Sequence, residues 1–271
     1  MDNKYTSFAM ARFDLQKPEP IAYMSSVGEM IDYYYNHKPD PELSYSDPNA
    51  KSDVLNIIAQ YLNNTQAPLC GSQIFVILKR HRENTALPKS ITQAIKSNRI
   101  HVITISSMTP LGGYGSSLYD LAWVSKGVCA FEKDENIPYA TSFIFSTPPA
   151  YPYLVYYVDL RVADNGSTPL PHMDLPYTDK YQLLMTVQDH GPMDAFENLK
   201  LEWTNMDSSA SGYVETNSTD SDHRWGGKLH WSRPSIDMTS GFYELKLSYT
   251  YKVPQTLQIR FYSERPINYW A

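Results

Sequence analysis

The chain has 271 residues, of which 42% are hydrophobic and 19% charged, and its 29 acidic and 23 basic side chains give a net charge of −6. This size and apolar content allow two ordinary domains, each with its own core. A weakly acidic chain without a long basic run is a poor partner for nucleic acid or an anionic membrane. No apolar run is long enough to span a bilayer as a helix. Composition therefore excludes fibrous, membrane-embedded and disulfide-scaffold proteins, but it names no ligand.

Residues 1–147 alternate between strand and helix patterns, which predicts a mainly parallel sheet with flanking helices. The clearest helix follows a candidate N-cap at Ser52, where Val54, Ile58 and Leu62 share one apolar face. Strands are predicted at Ser7–Leu15, Ile21–Tyr23, Gln73–Leu78, Ile100–Ser106 and Val128–Phe131. Further helices are predicted at Val27–Tyr35, around Ile91–Ile95, at Ser116–Ser125 and at Asn136–Phe145.

After Pro148 the hydrophobic period changes from helical to two. Leu199, Leu201 and Trp203 alternate with polar residues, and so do Leu257, Ile259 and Phe261. One-sided strands separated by turns rich in Pro, Gly and Asn are typical of an antiparallel β-sandwich. The sequence therefore predicts two domains, residues 1–147 and 148–271.

Two phrases in the first half, Ala67–Ser72 and Lys126–Glu132, carry a resemblance to a known family. Together with the order of elements, they resemble a nematode family of unknown function that has a von Willebrand factor A-like domain followed by a β-rich domain. The resemblance implies a degenerate domain of this type at residues 1–147 and a binding or adhesion role rather than an enzyme. It also implies an N-terminally truncated member, because the strand and loop that carry Asp-x-Ser-x-Ser in such domains are absent here.

The resemblance further implies that the metal site of this domain type is degenerate. The position of the metal-binding Thr corresponds to Asn49, and the position of an Asp after the buried strand corresponds to Lys79, followed by Arg80. Cationic side chains in place of a carboxylate would repel Mg²⁺. We therefore expect no metal and no cofactor. A missing strand would also leave sheet edges open, which would allow association with another copy of the chain.

The candidate binding residues fall in two places. Lys79, Arg80 and Arg82 form the basic cluster at the carboxyl end of a strand, where open α/β sheets place ligands. An acidic partner is one interpretation, and a solvated loop is the favoured one because the patch is small. Trp225 and Trp231 flank a polar loop and are candidates for stacking on a glycan.

An enzymatic alternative depends on two histidines next to acids, His190 and His223. One of them, with nearby acids, would act as the general base of a hydrolase. Neighbouring residues of a strand point to opposite faces, so Asp189 is poorly placed to orient His190. No Gly-x-Ser-x-Gly turn supplies a nucleophile. The non-catalytic interpretation is favoured.

Clues to the cellular compartment conflict. The first residues contain no apolar signal-peptide core, whereas Asn63, Asn165 and Asn217 each begin an Asn-x-Ser/Thr glycosylation motif. Cys70 and Cys129, the only cysteines, could form one bridge or remain thiols. Localisation is left open, with the resemblance implying an extracellular protein.

The sequence thus predicts an α/β domain followed by an all-β sandwich. The function expected is metal-independent recognition of a protein or glycan partner by a protein that is not an enzyme and does not bind nucleic acid. The alternatives are the hydrolase above and a non-functional truncated paralogue.

Overall fold

A computed structural model describes residues 4–145, 147–187, 195–219, 224–225 and 228–268, with the backbone alone for 224–225 and 228–234. The chain divides into two compact units, Met1–Cys129 and Ala130–Ala271. Among the described residues, no helix is both long enough and apolar enough to cross a membrane.

The first unit contains the predicted alternation of strands and helices. Its strands are β1 (Phe8–Met10), β2 (Ala22–Met24), β3 (Gln73–Arg80) and β4 (His101–Leu111). Its helices are α1 (Val27–Asn36), α2 (Val54–Leu62), α3 (Lys89–Ser97) and α4 (Tyr119–Val124). A short strand, β5 (Cys129–Glu132), begins at the last residue of this unit and gives a sheet of order β3–β4–β5 in the described chain. Within the part of the chain that the structure describes, this parallel sheet has three strands and not the wider sheet of a von Willebrand factor A-like domain.

The core of the first unit lies between the helices and the parallel pair β3–β4. Val54, Ile58 and Leu62 of α2 are buried, as their spacing predicts, against Ile91 and Ile95 of α3. Residues 101–107 of β4 are all buried, which confirms a strand covered on both faces. Gln73 pairs with His101 and Leu78 with Ser106 in parallel register.

The predicted strand Ser7–Leu15 is too long. Only Phe8–Met10 is extended, and it pairs with β2 in a separate two-stranded sheet. The predicted span also includes Asp14, whose backbone is left-handed (φ 62°) and therefore outside the β region. Helix α1 follows, and although its apolar residues share one face as expected, none of its residues is buried.

The second unit is built almost entirely of antiparallel strands. Two short helices, α5 (Ile137–Ile144) and α6 (Thr147–Ala150), precede them. The strands are β6 (Tyr153–Leu175), β7 (Asp179–Val187), β8 (Phe196–Asn205), β9 (Ser211–Asn217), β10 (Arg224–Trp225), β11 (Lys228–Met238) and β12 (Gly241–Ser263). Their order is β10–β11–β7–β12–β8–β9, with β6 also paired to β12.

One long strand, β12, joins the two halves of this curled sheet. Residues 243–251 pair with β8, residues 257–263 pair with β7, and β6 pairs along both parts. A bulge interrupts the register between Tyr251 and Gln255, and a bulge bends and twists its strand. Both halves contribute to one core, from Leu199 and Leu201 on β8 to Leu183 and Met185 on β7. The predicted antiparallel sandwich is present in this curled form.

The boundary between the two units lies between Cys129 and Ala130, earlier in the chain than the predicted boundary near Pro148. Residues 130–150, which contain α5 and α6, therefore belong to the second unit. Helix α5 contacts β11, so its packing assigns it to the β-rich unit although its sequence pattern is helical.

Candidate functional site

The basic cluster at the end of β3 is largely structural. Arg80 is 2% exposed, and its Nη1 donates to the carbonyl oxygens of Asp47 at 3.0 Å and Ala50 at 2.8 Å. Its Nε lies 3.9 Å from Oδ2 of Asp14, and its guanidinium stacks over the ring of Tyr45. Because a guanidinium has five donors, one buried arginine can satisfy several loop carbonyls that would otherwise lack partners.

Arg82 has the same role two residues later. It is also 2% exposed, and its Nη1 donates to the carbonyl oxygens of Glu83 and Thr85, each at 2.8 Å. Its Nε donates to the carbonyl of Ser117, and its Nη2 forms an ion pair with Asp120. Both guanidinium groups are therefore nearly buried and bond within the chain, so neither an exposed basic patch nor a solvated loop describes them.

Lys79 and Asn49, the two positions at which the resemblance implies a degenerate metal site, form hydrogen bonds within the chain. Lys79 Nζ donates to Oγ of Ser107 at 3.1 Å and to the carbonyl of Thr109 at 2.8 Å. The backbone N–H of Asn49 donates to Oδ1 of Asp47 within an Asx turn. Among the described residues, no three His, Cys, Asp or Glu side chains are placed so that they could hold a metal ion.

A pair of carboxylates, Asp14 and Asp53, lies beside Arg80. The backbone N–H of Asp14 donates to Oδ1 of Asp53 at 2.8 Å, and the N–H of Asp53 donates to Oδ1 of Asp14 at 3.0 Å. Burial raises the pKa of the Asp14 carboxyl, and the charge of Asp53 adds to the rise, while hydrogen bonds from Ser52 and the Asp53 backbone oppose it. The reciprocal bonds tie the segment after β1 to the start of α2. Ser52, the predicted N-cap, lies one residue before the actual N-cap, Asp53, and its Oγ accepts from the N–H of Val54 at 3.3 Å.

We expect the stability of the first unit to fall as pH rises above the ordinary range of an Asp carboxyl. A carboxyl whose pKa is raised by folding stabilises the folded state below its unfolded pKa, and this contribution is lost as pH rises through the folded pKa. In Asp14→Asn, which cannot ionise, the decline should be smaller. Urea unfolding between pH 4 and 8, followed by circular dichroism of the helices, measures it.

The control for this prediction is Asp32→Asn, which removes an exposed carboxyl on α1 and should keep the decline of the unmodified protein. An unchanged pH dependence in Asp14→Asn would contradict the assignment to the Asp14–Asp53 pair.

Several residues that the sequence suggested as functional do not contribute to a described site. His190 and His223 lie outside the described residues. Trp225 pairs with Lys228, and Trp231 lies opposite Met185 in the strand register, but only their backbone is described. Both cysteines are thiols: Cys70 is exposed and Cys129 is buried. The structure therefore does not contain the bridge that the sequence allowed.

The second unit presents a continuous polar face on β12, β8, β9 and the second half of β6. We call this surface the polar face. Its members alternate with core residues of the same strands: Glu244, Lys246, Ser248 and Thr250 on β12; Asn198, Lys200, Glu202 and Thr204 on β8; Tyr213, Glu215 and Asn217 on β9; Asn165, Ser167 and Pro169 on β6. Since the side-chain period of a strand is two, these residues share one side of the sheet.

An exposed aromatic ring lies on this polar face. Tyr213 is 59% exposed, and Nζ of Lys200 lies 4.9 Å from its ring centroid. The same ammonium donates to Oε1 of Glu202 at 2.8 Å. This bond raises the pKa of Lys200 and lowers the pKa of Glu202, so both are charged at neutral pH. An aromatic ring is thus held beside paired charges, with most of its surface in water.

The strand that carries Tyr213 is fixed by packing on its other side. Val214 is buried in the core, and Gly212 lies opposite Trp203. A Cβ at Gly212 would come 2.7 Å from the Trp203 ring, so the tryptophan requires a glycine there. The sequence did not single out Tyr213. The alternation of Tyr213, Glu215 and Asn217 with Val214 and Thr216 is the signal that could have found it.

All three glycosylation motifs begin at exposed asparagines. Asn63 is the C-cap of α2 in the first unit. Asn165 and Asn217 both belong to the polar face. Thr250 lies opposite both Asn165 and Asn198, and Asn198 lies opposite Asn217, so the two motif asparagines are in the same cross-strand row.

Residues 158–264, most of the strand-rich part of the second unit, match a domain of unknown function, DUF7154. No curated protein matches the chain, and the family comparison identifies no catalytic family.

Three of the solved structures that resemble part of the chain are carbohydrate-binding modules. TmCBM61, in complex with β-1,4-galactotriose, is 17% identical, with 40% of this chain and 68% of that chain covered at a TM-score of 0.25. The module CBM6cm-2 from Cellvibrio mixtus lichenase 5A, in complex with cellotriose, is 8% identical, with 43% and 94% covered and a TM-score of 0.26. The C-terminal CBM6 of LamC from Zobellia galactanivorans is 13% identical, with 42% and 94% covered and a TM-score of 0.27. These are partial likenesses at low identity.

Proposed function

We propose that the protein is a non-catalytic, metal-independent recognition protein whose second unit binds a neutral glycan on the polar face. The observation that carries the proposal is the exposed ring of Tyr213, held by Lys200 on a face made of hydroxyl, amide and paired charged side chains. A ring with one side in water can stack on the apolar side of a sugar, and its neighbours can bond to the sugar hydroxyls.

The charges of the polar face favour a neutral ligand. Lys200 bonds to Glu202, and Lys246 lies opposite Glu202 in the strand register. Glu215 lies opposite Lys200 on the other side. Each ammonium group therefore has a carboxylate beside it, and a sulfated or phosphorylated glycan would have to displace that carboxylate. Hydroxyl groups can instead donate to the carboxylates and accept from the ammonium groups.

Hydrogen bonds along the polar face support a preorganised surface. Oγ of Ser167 and Oγ of Ser248 lie 3.1 Å apart across β6 and β12. Oγ1 of Thr250 lies 3.5 Å from Oδ1 of Asn165. Side chains that are already ordered lose less conformational entropy when a ligand binds.

We expect Tyr213→Ala to weaken glycan binding by about fivefold or more, since the loss of one stacked aromatic ring costs about 1 kcal/mol. A glycan array probed with the full chain identifies the ligand, and titration calorimetry with that ligand measures the loss. Tyr114→Ala, which removes an 85% exposed ring from the first unit, is the matched control and should bind normally.

The proposal would be contradicted if the unmodified protein bound no neutral glycan on the array. It would also be contradicted if Tyr213→Ala and Tyr114→Ala bound the identified glycan equally well. Preferential binding of sulfated glycans would refute the assignment of a neutral ligand.

A further inference from the structure

Two of the three glycosylation motifs occupy the surface that we propose for ligand binding. Asn165 and Asn217 are exposed, and they stand at the two ends of the row Asn165–Thr250–Asn198–Asn217. Three strand spacings separate them, or about 14 Å. The third motif, at Asn63, is in the other unit.

The row of the two asparagines is close to the row of Tyr213. Asn217 and Tyr213 lie four positions apart on the same side of β9, which is a distance of about 14 Å along the strand. Thr250 faces Asn165 from the neighbouring strand, and Lys246 lies four positions from Thr250 on the same side of β12. Lys246, Glu202 and Tyr213 form the row to which a ligand would bind.

The local geometry of Asn217 is suited to modification. It ends β9, and its Oδ1 accepts from the backbone N–H of Thr219 at 2.9 Å and also bonds to the Thr219 hydroxyl. The hydroxyl of the motif is therefore already beside the amide that receives the sugar. Asn165 lies within β6, but its side chain is directed away from the core, so a glycan attached before folding is accommodated in water.

We infer that Asn165 and Asn217 are N-glycosylation sites whose occupancy shields the polar face and so controls access to it. The ligand of the polar face is taken from the proposed function. The shielding of the polar face by glycans does not depend on that proposal. An N-linked glycan is bulky and hydrated, and a branched oligosaccharide extends further than the four residues between the two rows. A protein carrying both glycans would have its binding row flanked along one side, with a glycan near each end of that side.

The test compares the full chain made in a bacterial host with the chain secreted by a host that attaches N-glycans. Mass spectrometry of peptides should show glycans at Asn165 and Asn217. A bulky amine-reactive polyethylene glycol should then label Lys246 at least about fivefold more slowly in the glycosylated protein, while Lys89, exposed in the first unit, should react at the same rate in both.

Binding of the array-identified glycan gives a second measurement. It should be at least about tenfold weaker in the glycosylated protein and should recover in the double variant Asn165→Gln, Asn217→Gln. Asn63→Gln is the matched control and should leave the shielding in place. Absence of glycans at both positions, or equal labelling of Lys246, would overturn the inference.

The experiments can refute the ligand assignment and the shielding separately. If the unglycosylated protein binds no glycan but Lys246 is shielded in the glycosylated protein, then the ligand assignment is wrong and the shielding stands. If the unglycosylated protein binds through Tyr213 and glycosylation changes neither labelling nor binding, then the binding function stands and the shielding is wrong.

Discussion

Replacing Arg260 with Met is expected to lower the free energy of unfolding of the second unit by about 3–5 kcal/mol. The guanidinium is fully buried, its Nη2 lies 2.6 Å from Oδ1 of Asp159, and its Nη1 donates to the carbonyls of Val158 and Ile259. Without Arg260, the Asp159 carboxylate would remain nearly buried and would lose its charged partner. An unpaired buried charge costs more than the lost ion pair itself.

The groups around this ion pair are buried away from water. Burial raises the pKa of the neighbouring Tyr262 to about 12. Gln258 and Thr186, on the adjoining strand positions, are fully buried and bond to each other. Urea unfolding followed by tryptophan fluorescence reports mainly on this unit, since four of the five tryptophans are in it.

The matched control for Arg260→Met is the double variant Arg260→Met, Asp159→Leu, which removes both charges. It should recover at least half of the lost stability, because no buried charge remains. A loss below about 1 kcal/mol in the single variant would contradict the ion-pair account, since that is the magnitude of a surface pair.

Replacing Gly127 with Ala is expected to destabilise the first unit by about 3 kcal/mol, at the upper end of the cost of overpacking. A Cβ at this position would lie 1.9 Å from the carbonyl oxygen of Val102 and 2.7 Å from its carbonyl carbon. Both atoms belong to the backbone of the buried strand β4, so the clash can be relieved only by moving that strand. Hydrogen exchange of the β4 amides should become faster by a corresponding factor.

Gly28→Ala provides the contrast. The nearest atom to a Cβ at Gly28 is Oγ of Ser26 at 3.8 Å, an ordinary contact, and the residue lies in α1. Alanine favours a helix over glycine by up to about 1 kcal/mol, so this variant should be unchanged or more stable. Equal effects of the two substitutions would show that the close approach at Gly127 does not limit packing.

The sequence predicted those parts of the fold that depend on local periodicity. The face of α2 with Val54, Ile58 and Leu62, the buried strand β4 and the alternating strands β8 and β12 all follow from the spacing of apolar residues. The predicted strand Ser7–Leu15 was too long, and its end contains Asp14, which has a left-handed backbone and bonds to Asp53, 39 positions away. No local pattern encodes such a contact.

The sites were predicted less well than the fold, and for a related reason. Arg80 and Arg82 belong to a charged run that is typical of an exposed loop, yet carbonyl groups of distant segments, at Asp47, Ala50 and Ser117, bond to their guanidinium groups. Tyr213 gains significance only through its neighbour on β8, Lys200, which is 13 positions away in sequence. The resemblance to a von Willebrand factor A-like domain stays a prediction, although Gly127, within one of the phrases that carry it, has a clear packing role.

The shared strand β12 has a consequence for how the second unit is made. Tyr153 pairs with Ser263, and Leu175 pairs with Gly241. Strand β6 therefore has no β12 to pair with while β7 to β11 are being synthesised. Contacts between residues so distant in the chain form slowly, because loop closure has to precede them. A ribosome-bound chain that lacks β12 would leave β6, β7 and β8 without their common neighbour, and such unpaired strands are the places where nascent chains aggregate. The second unit is therefore most exposed to aggregation before β12 has been synthesised.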